Sequence, residues 1–335
     1  MPGPPLRRSE GAYAVTKSSN CLGVAEKKPV EKGSKRKRRK RSCNPISSYV
    51  ILCFLLSWGL WAPLMLLNIS FYAHIWKLLY VAGLSGPLFA AATVSLVTGG
   101  TPALKDLLSR ACIWKVPAVL YVIAIGLSPV LMGIAWGFSA EMGERHGTWI
   151  IPSLAMLPLT FLIMALRGGP LNEEIGWRGF LLPHLLKKHT PFGASLILGG
   201  IWGAWHIPLW FLNGLPHPTW PYGLFLLLVL SCTFLFTWLH LKSGGSVLLA
   251  ILFHSSINTG IHYFPILPPR HPSLVPFVWW VGLTCVAAGV VILKERRLWF
   301  SRSPKPVEAS VQAIPEPAAE GVEAHVERRD ELGTA

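Results

Sequence analysis

The amino-acid sequence predicts an all-α polytopic membrane protein of about eight transmembrane helices with a polar site inside them. Three observations carry that prediction. Of 335 residues, 52% are hydrophobic and only 14% charged, whereas a soluble globular domain carries roughly a quarter charged. The charges are also segregated: residues 1–44 hold 13 Lys/Arg and 3 Asp/Glu, residues 294–335 hold 7 and 8, and the 249 residues between them hold 11 and 5. That middle stretch divides into apolar runs of about 20 residues, the length that crosses a hydrocarbon core of about 30 Å. Such a composition excludes a disordered chain and fits a soluble enzyme poorly.

The first run, 46–68, follows directly on Lys35-Arg36-Lys37-Arg38-Arg39-Lys40-Arg41. A cluster of this kind can hold nucleic acid. Set against a span, it better suits the anionic lipid of the cytoplasmic leaflet, and at its simplest it is a positive-inside anchor, so no nucleic-acid partner is expected. The run is too long, and its tail too extended, for a cleaved signal peptide. Runs at 76–98, 114–138 and 148–166 follow. Segment 171–188 carries the motif discussed below and is read as the cytosolic-side continuation of the fourth run. Runs at 192–212, 219–241, 245–264 and 274–293 complete eight crossings and put both termini on one side.

The loops test that parity. With the N-terminus inside, the inside set holds Lys105, Arg110, Lys115, Arg167, Lys187, Lys188, Lys242, Lys294, Arg296 and Arg297, and the outside set Lys77, Arg145 and Arg270. Ten against three matches the enrichment of Lys and Arg in cytoplasmic loops. Residues 1–44 thus read as a basic cytosolic tail, 45–293 as the membrane domain, with its motif core at 150–262, and 294–335 as a Pro/Ala/Glu-rich cytosolic tail. Neither tail has the composition of a packed core. No internal repeat is evident, which argues against a transporter of duplicated halves. The six cysteines are scattered singly, so no disulfide framework or cysteine zinc site is implied.

The five acidic residues of the middle stretch are Asp106, Glu141, Glu144, Glu173 and Glu174, and the adjacent pair is the informative one. It lies in Gly168-Gly169-Pro170-Leu171-Asn172-Glu173-Glu174-Ile175-Gly176-Trp177-Arg178-Gly179, a break followed by a helix starting near Asn172. Glu174 and Arg178, four apart, face one another as an ion pair. Glu173 points about 100° away and has no basic residue one turn on. A charge at membrane depth costs at least about 2.5–3.5 kcal/mol and is a functional hypothesis by default. A helix-locking ion pair is the plainer account of Glu174, and it does not reach Glu173.

Two further spans add polar groups. His206 follows Trp202 by one turn inside an apolar run of Gly and Ala, and His254 and Asn258 share one face of the seventh span. A lone buried histidine is more often a packing residue than a catalytic one. Here three helices each carry polarity in a chain that otherwise avoids it, and such groups converge in hydrocarbon. A carboxylate, two imidazoles and a carboxamide can make a hydrolytic site or a metal site. The remaining histidines, among them His184, His189, His217, His240 and His262, sit at span ends or in loops and carry no prediction.

The ordered strings Gly169-Pro170-x-x-Glu173-Glu174-x-x-x-Arg178-Gly179, Trp202-x-x-x-His206 and His254-x-x-x-Asn258 resemble the CPBP family of intramembrane proteases, related to type II CAAX prenyl endopeptidases and to bacteriocin-processing or immunity proteins. The resemblance covers about 150–262; the family's second string usually begins with Phe, and Trp202 is an aromatic substitute. It implies Glu173 as the base that activates water, with Glu174 and Arg178 as its support. His206 would hold the water or a metal, and His254 with Asn258 would position groups and stabilise an oxyanion. Zinc on Glu173, His206 and His254 stays open beside direct activation by glutamate and histidine, since HExxH is absent.

The function expected is hydrolysis of a peptide bond in a membrane-anchored substrate, with a prenylated CAAX-type tail as one candidate, in a multi-pass protein of a bacterial plasma membrane. A non-catalytic scaffold or immunity factor, or a proton-coupled transporter, would use the same residues as locks or relays. A depth mismatch between Glu173 and His206 predicts that the Gly168–Pro170 break lies deep in the bilayer, with a cavity open to the cytosol.

Overall fold

A computed structural model describes residues 44–67, 69–144, 153–167, 169–268 and 270–301. The Lys35–Arg41 cluster, Arg145, His146, Gly168 and the C-terminal tail from residue 302 lie outside them. Helix α1 (Pro45–Leu66) starts where the Asn44 side chain accepts the Ile46 N–H and Pro45 takes the first position, which needs no donor. Helices α2 (His74–Leu84) and α3 (Gly86–Ser109) divide what the sequence reads as one run at 76–98. Hydropathy is continuous across the junction; the break is set by packing against α1. There Ser57 Oγ donates to the Gly83 carbonyl at 2.8 Å and Trp61 Nε1 to that of Tyr80 at 3.1 Å, satisfying carbonyls at the end of α2.

Helix α4 (Ala118–Glu141) precedes α5 (Leu157–Arg167), then α6 (Pro170–Glu174), a π-helical stretch Ile175–Leu181, and α7 (Leu182–Leu186). Helices α8 (Pro191–Trp205), α9 (Tyr222–Lys242), α10 (Val247–Tyr263), α11 (Val275–Lys294) and the short α12 (Arg296–Phe300) complete the chain. Thr190 and Ser246 cap α8 and α10 by accepting backbone N–H groups. Among the described residues, six helices are long and apolar enough to cross a membrane, or up to seven if the bent pair 154–167 and 170–186 is one span. Against the eight expected, the remaining helix is α10, whose 17 residues stand at the short limit for a span.

Contacts between elements sort the helix ends into two sets. At one end Ser246 Oγ donates to the Ile113 carbonyl, Arg110 to that of Gly179, Lys242 pairs with Glu295, and Phe192 stacks on Phe300. At the other, Trp58 donates to the Trp205 carbonyl, Trp220 to that of Pro268, Tyr263 to that of Ser153, and Phe138 packs on Trp279. The first end carries Lys105, Arg110, Lys115, Lys187, Lys188, Lys242, Lys294, Arg296 and Arg297; the second, among the described residues, carries Lys77 and Arg270. Arg167, expected in a basic loop, falls instead at the bend between the halves of the bent pair.

Candidate active site

The motif helix begins with a backbone feature that only glycine tolerates well. Gly169 has φ 102°, the left-handed region, and a Cβ there would meet the Glu173 carboxylate. The turn is closed by Glu173 N–H donating to the Gly169 carbonyl at 2.8 Å. The next glycine, Gly176, lies where a Cβ would come within 2.6 Å of Pro87 and of the Tyr49 hydroxyl. It lets the motif segment press against α3 and α1. The sequence predicts a plain α-helix here; the π-helical stretch over Ile175–Leu181 is the departure, and such bulges occur often at functional sites.

The two glutamates then part company. Glu174, fully buried, accepts at Oε1 from Arg178 NH1 at 2.9 Å and from His254 Nδ1 at 2.8 Å. Arg178, itself fully buried, lies between two aromatic rings, 4.2 Å from the Trp202 centroid and 3.8 Å from that of Phe236. That cation–π stacking covers a charge whose Nε and NH2 have no protein hydrogen bond. Glu173 is 3% exposed and accepts a hydrogen bond from Trp202 Nε1 at Oε2, at 2.8 Å. Among the described residues it makes no ion pair with Arg or Lys.

Helix α8 ends at Trp205 because Pro208 cannot continue it, and the last turn tightens, with His206 N–H donating to the Gly203 carbonyl at 3.1 Å. The Trp202 carbonyl, left without its helical donor, is taken by His206 Nδ1 at 2.7 Å. A carbonyl only accepts, so Nδ1 carries the proton and Nε2 is the ring's acceptor. The same logic applies to His254: Nδ1–H donates to Glu174, a carboxylate-oriented imidazole whose Nε2 stays available.

Glu173, Trp202, His206, His254 and Asn258 line one cavity of about 230 Å³. The expectation that three helices would bring these groups together is met at that level. The structure does not join Glu173 to either histidine by a hydrogen bond. Nor does it build the zinc set considered from the sequence: among the described residues no three His, Cys, Asp or Glu side chains are grouped as a metal ion requires. Glu173, His206 and His254 are each held by a different partner, the Trp202 indole, the Trp202 carbonyl and Glu174.

Three features escape sequence reasoning. Phe236 beneath Arg178 has no local signal, being one apolar residue of an apolar span. His217 and His262, set aside as loop and span-end residues, line the same cavity. The third is the cavity's place along the bundle. Its remaining walls include Tyr80, Leu209, Trp220, Ile261, Leu267 and Phe277, all from the end of the bundle poor in Lys and Arg.

An all-helical bundle with several membrane-length helices and an enclosed carboxylate–imidazole site is a polytopic membrane protein with an intramembrane polar centre. Residues 154–260 match the family model of the type II CAAX prenyl endopeptidase Rce1-like proteins. The chain is also 27% identical over 269 residues to the CAAX prenyl protease 2 of Methanococcus maripaludis, covering 76% of this chain and 95% of that relative. Over these stretches the chain is similar to CAAX prenyl endopeptidase-like proteins.

Proposed function

We propose that this protein is an intramembrane endopeptidase in which Glu173 activates a water for attack on a peptide carbonyl of a membrane-anchored substrate. The observation that carries the reading is the state of Glu173: buried, without an ion pair, held at one oxygen by Trp202 at 2.8 Å, on the wall of a cavity shared with His206, His254 and Asn258. A locking residue would have a basic partner, and here Arg178 goes to Glu174 instead.

In the reaction, Glu173 takes a proton from water as the oxygen bonds the carbonyl carbon, giving a tetrahedral oxyanion. The oxyanion needs a donor. His254 has committed Nδ1–H to Glu174, so in its neutral form Nε2 can only accept, and the donor from α10 is the Asn258 carboxamide. One such donor lowers the barrier by roughly 3–4 kcal/mol. Protonated Glu173 then gives its proton to the departing amine nitrogen as the carbon–nitrogen bond breaks. His206 and His254, each with an acceptor nitrogen at the cavity, hold the attacking water in line. No step runs through a metal.

The name of the Methanococcus relative makes a prenylated CAAX-type tail the first substrate to try, and the apolar cavity walls suit a lipid-borne chain. The test is cleavage of prenylated and unprenylated peptides by detergent-solubilised protein, wild type against Glu173→Gln, with and without a zinc chelator. Cleavage that disappears in Glu173→Gln and survives chelation supports the reading. Wild-type activity in Glu173→Gln removes the proposed base, and loss under chelation moves the chemistry to a metal.

A further inference from the structure

The cavity wall carries two imidazoles that the proposed reaction does not use, His217 and His262. His262 follows Asn258 by four residues and His254 by eight, so successive turns of α10 bring all three to one chamber. Its tautomer is fixed. Arg270 NH2 lies 3.1 Å from His262 Nδ1, while NH1 donates to the Ile261 carbonyl at 2.6 Å. A guanidinium only donates, so Nδ1 is the acceptor and the proton sits on Nε2. His206 and His254 have the opposite arrangement, with Nδ1–H committed and Nε2 accepting. Because Arg270 takes up Nδ1 from outside the cavity wall, Nε2–H is the group that His262 leaves for the cavity. The guanidinium behind the ring polarises it and strengthens that donor.

His217 comes from another element, the connection between α8 and α9. Its Nδ1 is buried without a hydrogen-bond partner. That connection is tied to the one carrying Arg270: Trp220 Nε1 donates to the Pro268 carbonyl at 2.9 Å, and Arg270 N–H to that of Leu267 at 2.9 Å. The Phe225 ring stands between His217 and the reaction centre, with its centroid 6.4 Å from that of His217 and 5.1 Å from that of His206. Two ring donors, one of them backed by a guanidinium, suit an anionic acceptor, since a hydrogen bond to an ionised oxygen is roughly twice as strong as one to a neutral oxygen.

We infer that His262 with Arg270 behind it, together with His217, forms a subsite for a carboxylate of the substrate, set apart from the groups that carry the reaction. The inference rests on the protease reading above. Four residues of α10 rise about 6 Å, and an extended peptide advances about 3.4 Å per residue. With the scissile carbonyl held at Asn258, the carboxylate held at His262 belongs to a residue about two positions along the substrate. Such a carboxylate has two sources, the free C-terminus of a short leaving fragment or an acidic side chain beside the cleaved bond. His262 and Arg270 both lie beyond the 154–260 stretch that matches the family model.

The test uses the full-length protein in detergent and one prenylated CAAX-type peptide in three forms: the free C-terminal acid, the C-terminal amide, and the amide with glutamate as the second residue after the cleaved bond. Dissociation constants are read by fluorescence polarisation of labelled peptide on Glu173→Gln, and kcat and KM on the wild type. The inference requires a carboxylate-bearing form to bind at least about tenfold more tightly than the plain amide, and to differ from it in KM more than in kcat. Preference for the free acid assigns the subsite to the C-terminus, and preference for the glutamate form assigns it to a side chain. Three forms that bind alike overturn it.

His262→Phe should bring every form to the affinity of the plain amide, and Arg270→Gln and His217→Phe should each narrow the gap. Arg270→Gln leaves α10 itself unchanged and serves if His262→Phe fails to fold. A merely structural role would weaken all three forms together, and that result, or an unchanged preference, overturns the subsite. If Glu173→Gln cleaves as well as wild type while the preference in binding holds, the subsite stands and the protease reading fails. If cleavage depends on Glu173 and the three forms bind and turn over alike, the protease reading stands and the subsite fails.

Discussion

Two carboxylates one residue apart do different work because one has a cation and the other an indole. Glu174 is the hub between Arg178 and His254, and all three are buried. Removing one partner of a buried pair leaves an uncompensated charge and costs about 3–5 kcal/mol. Glu174→Gln should therefore lower thermal stability strongly, read as an earlier loss of monodisperse protein on heating in detergent. Glu173→Gln breaks no ion pair and should keep the wild-type melting temperature while abolishing hydrolysis; equal destabilisation in both variants would refute separate roles. Trp202→Phe keeps an aromatic face for Arg178 but deletes the indole donor to Glu173. A hydrogen bond to a charged group contributes about 1.5–3 kcal/mol, so kcat should fall by about one to two orders of magnitude at similar KM. An unchanged kcat would show that the bond does not position Glu173. At this scale the sequence is legible where spacing fixes a face: the four-residue interval joins Glu174 to Arg178 and sets Glu173 apart. The link from Glu174 to His254, 80 positions on, has no local signature, and neither does Phe236.

At the scale of elements, the motif segment depends on a strained entry and a close approach. Gly169 is both left-handed and in contact with the carboxylate it precedes by one turn. Gly169→Ala should cost activity more than stability, because its Cβ displaces Glu173 itself; a variant with full kcat would show that the carboxylate has room to move. Gly176→Ala acts elsewhere, pushing on Pro87 and Tyr49. Overpacking of this kind typically costs about 1–3 kcal/mol, so its effect should appear in the melting temperature. Hydropathy locates most of these helices because length and apolarity are what a bilayer demands. It misses the α2–α3 junction and the π-helical stretch because neither changes composition. Both arise from hydrogen bonds and packing made across the bundle, by Ser57 and Trp61 in one case and by α1 and α3 in the other.

For the whole molecule, charge along the chain predicts which helix ends share a side, since that depends only on parity. It does not say where a cavity opens, since that depends on how far the motif segment reaches after its break. The cavity's wall carries a consequence for pH. His217, in the connection after α8, is held against Trp210 and Trp220, and burial pushes its imidazole down from the ordinary 6.5 to about 4. Between those values the unfolded chain binds a proton that the folded chain does not, so stability must fall as pH drops through that window and level off below about 4. His217→Phe keeps the ring contacts and removes the titration. Its melting temperature in detergent should therefore gain on wild type as pH is lowered from about 6.5 to about 4. A constant difference between the two across that range would mean that the imidazole is solvated in the fold.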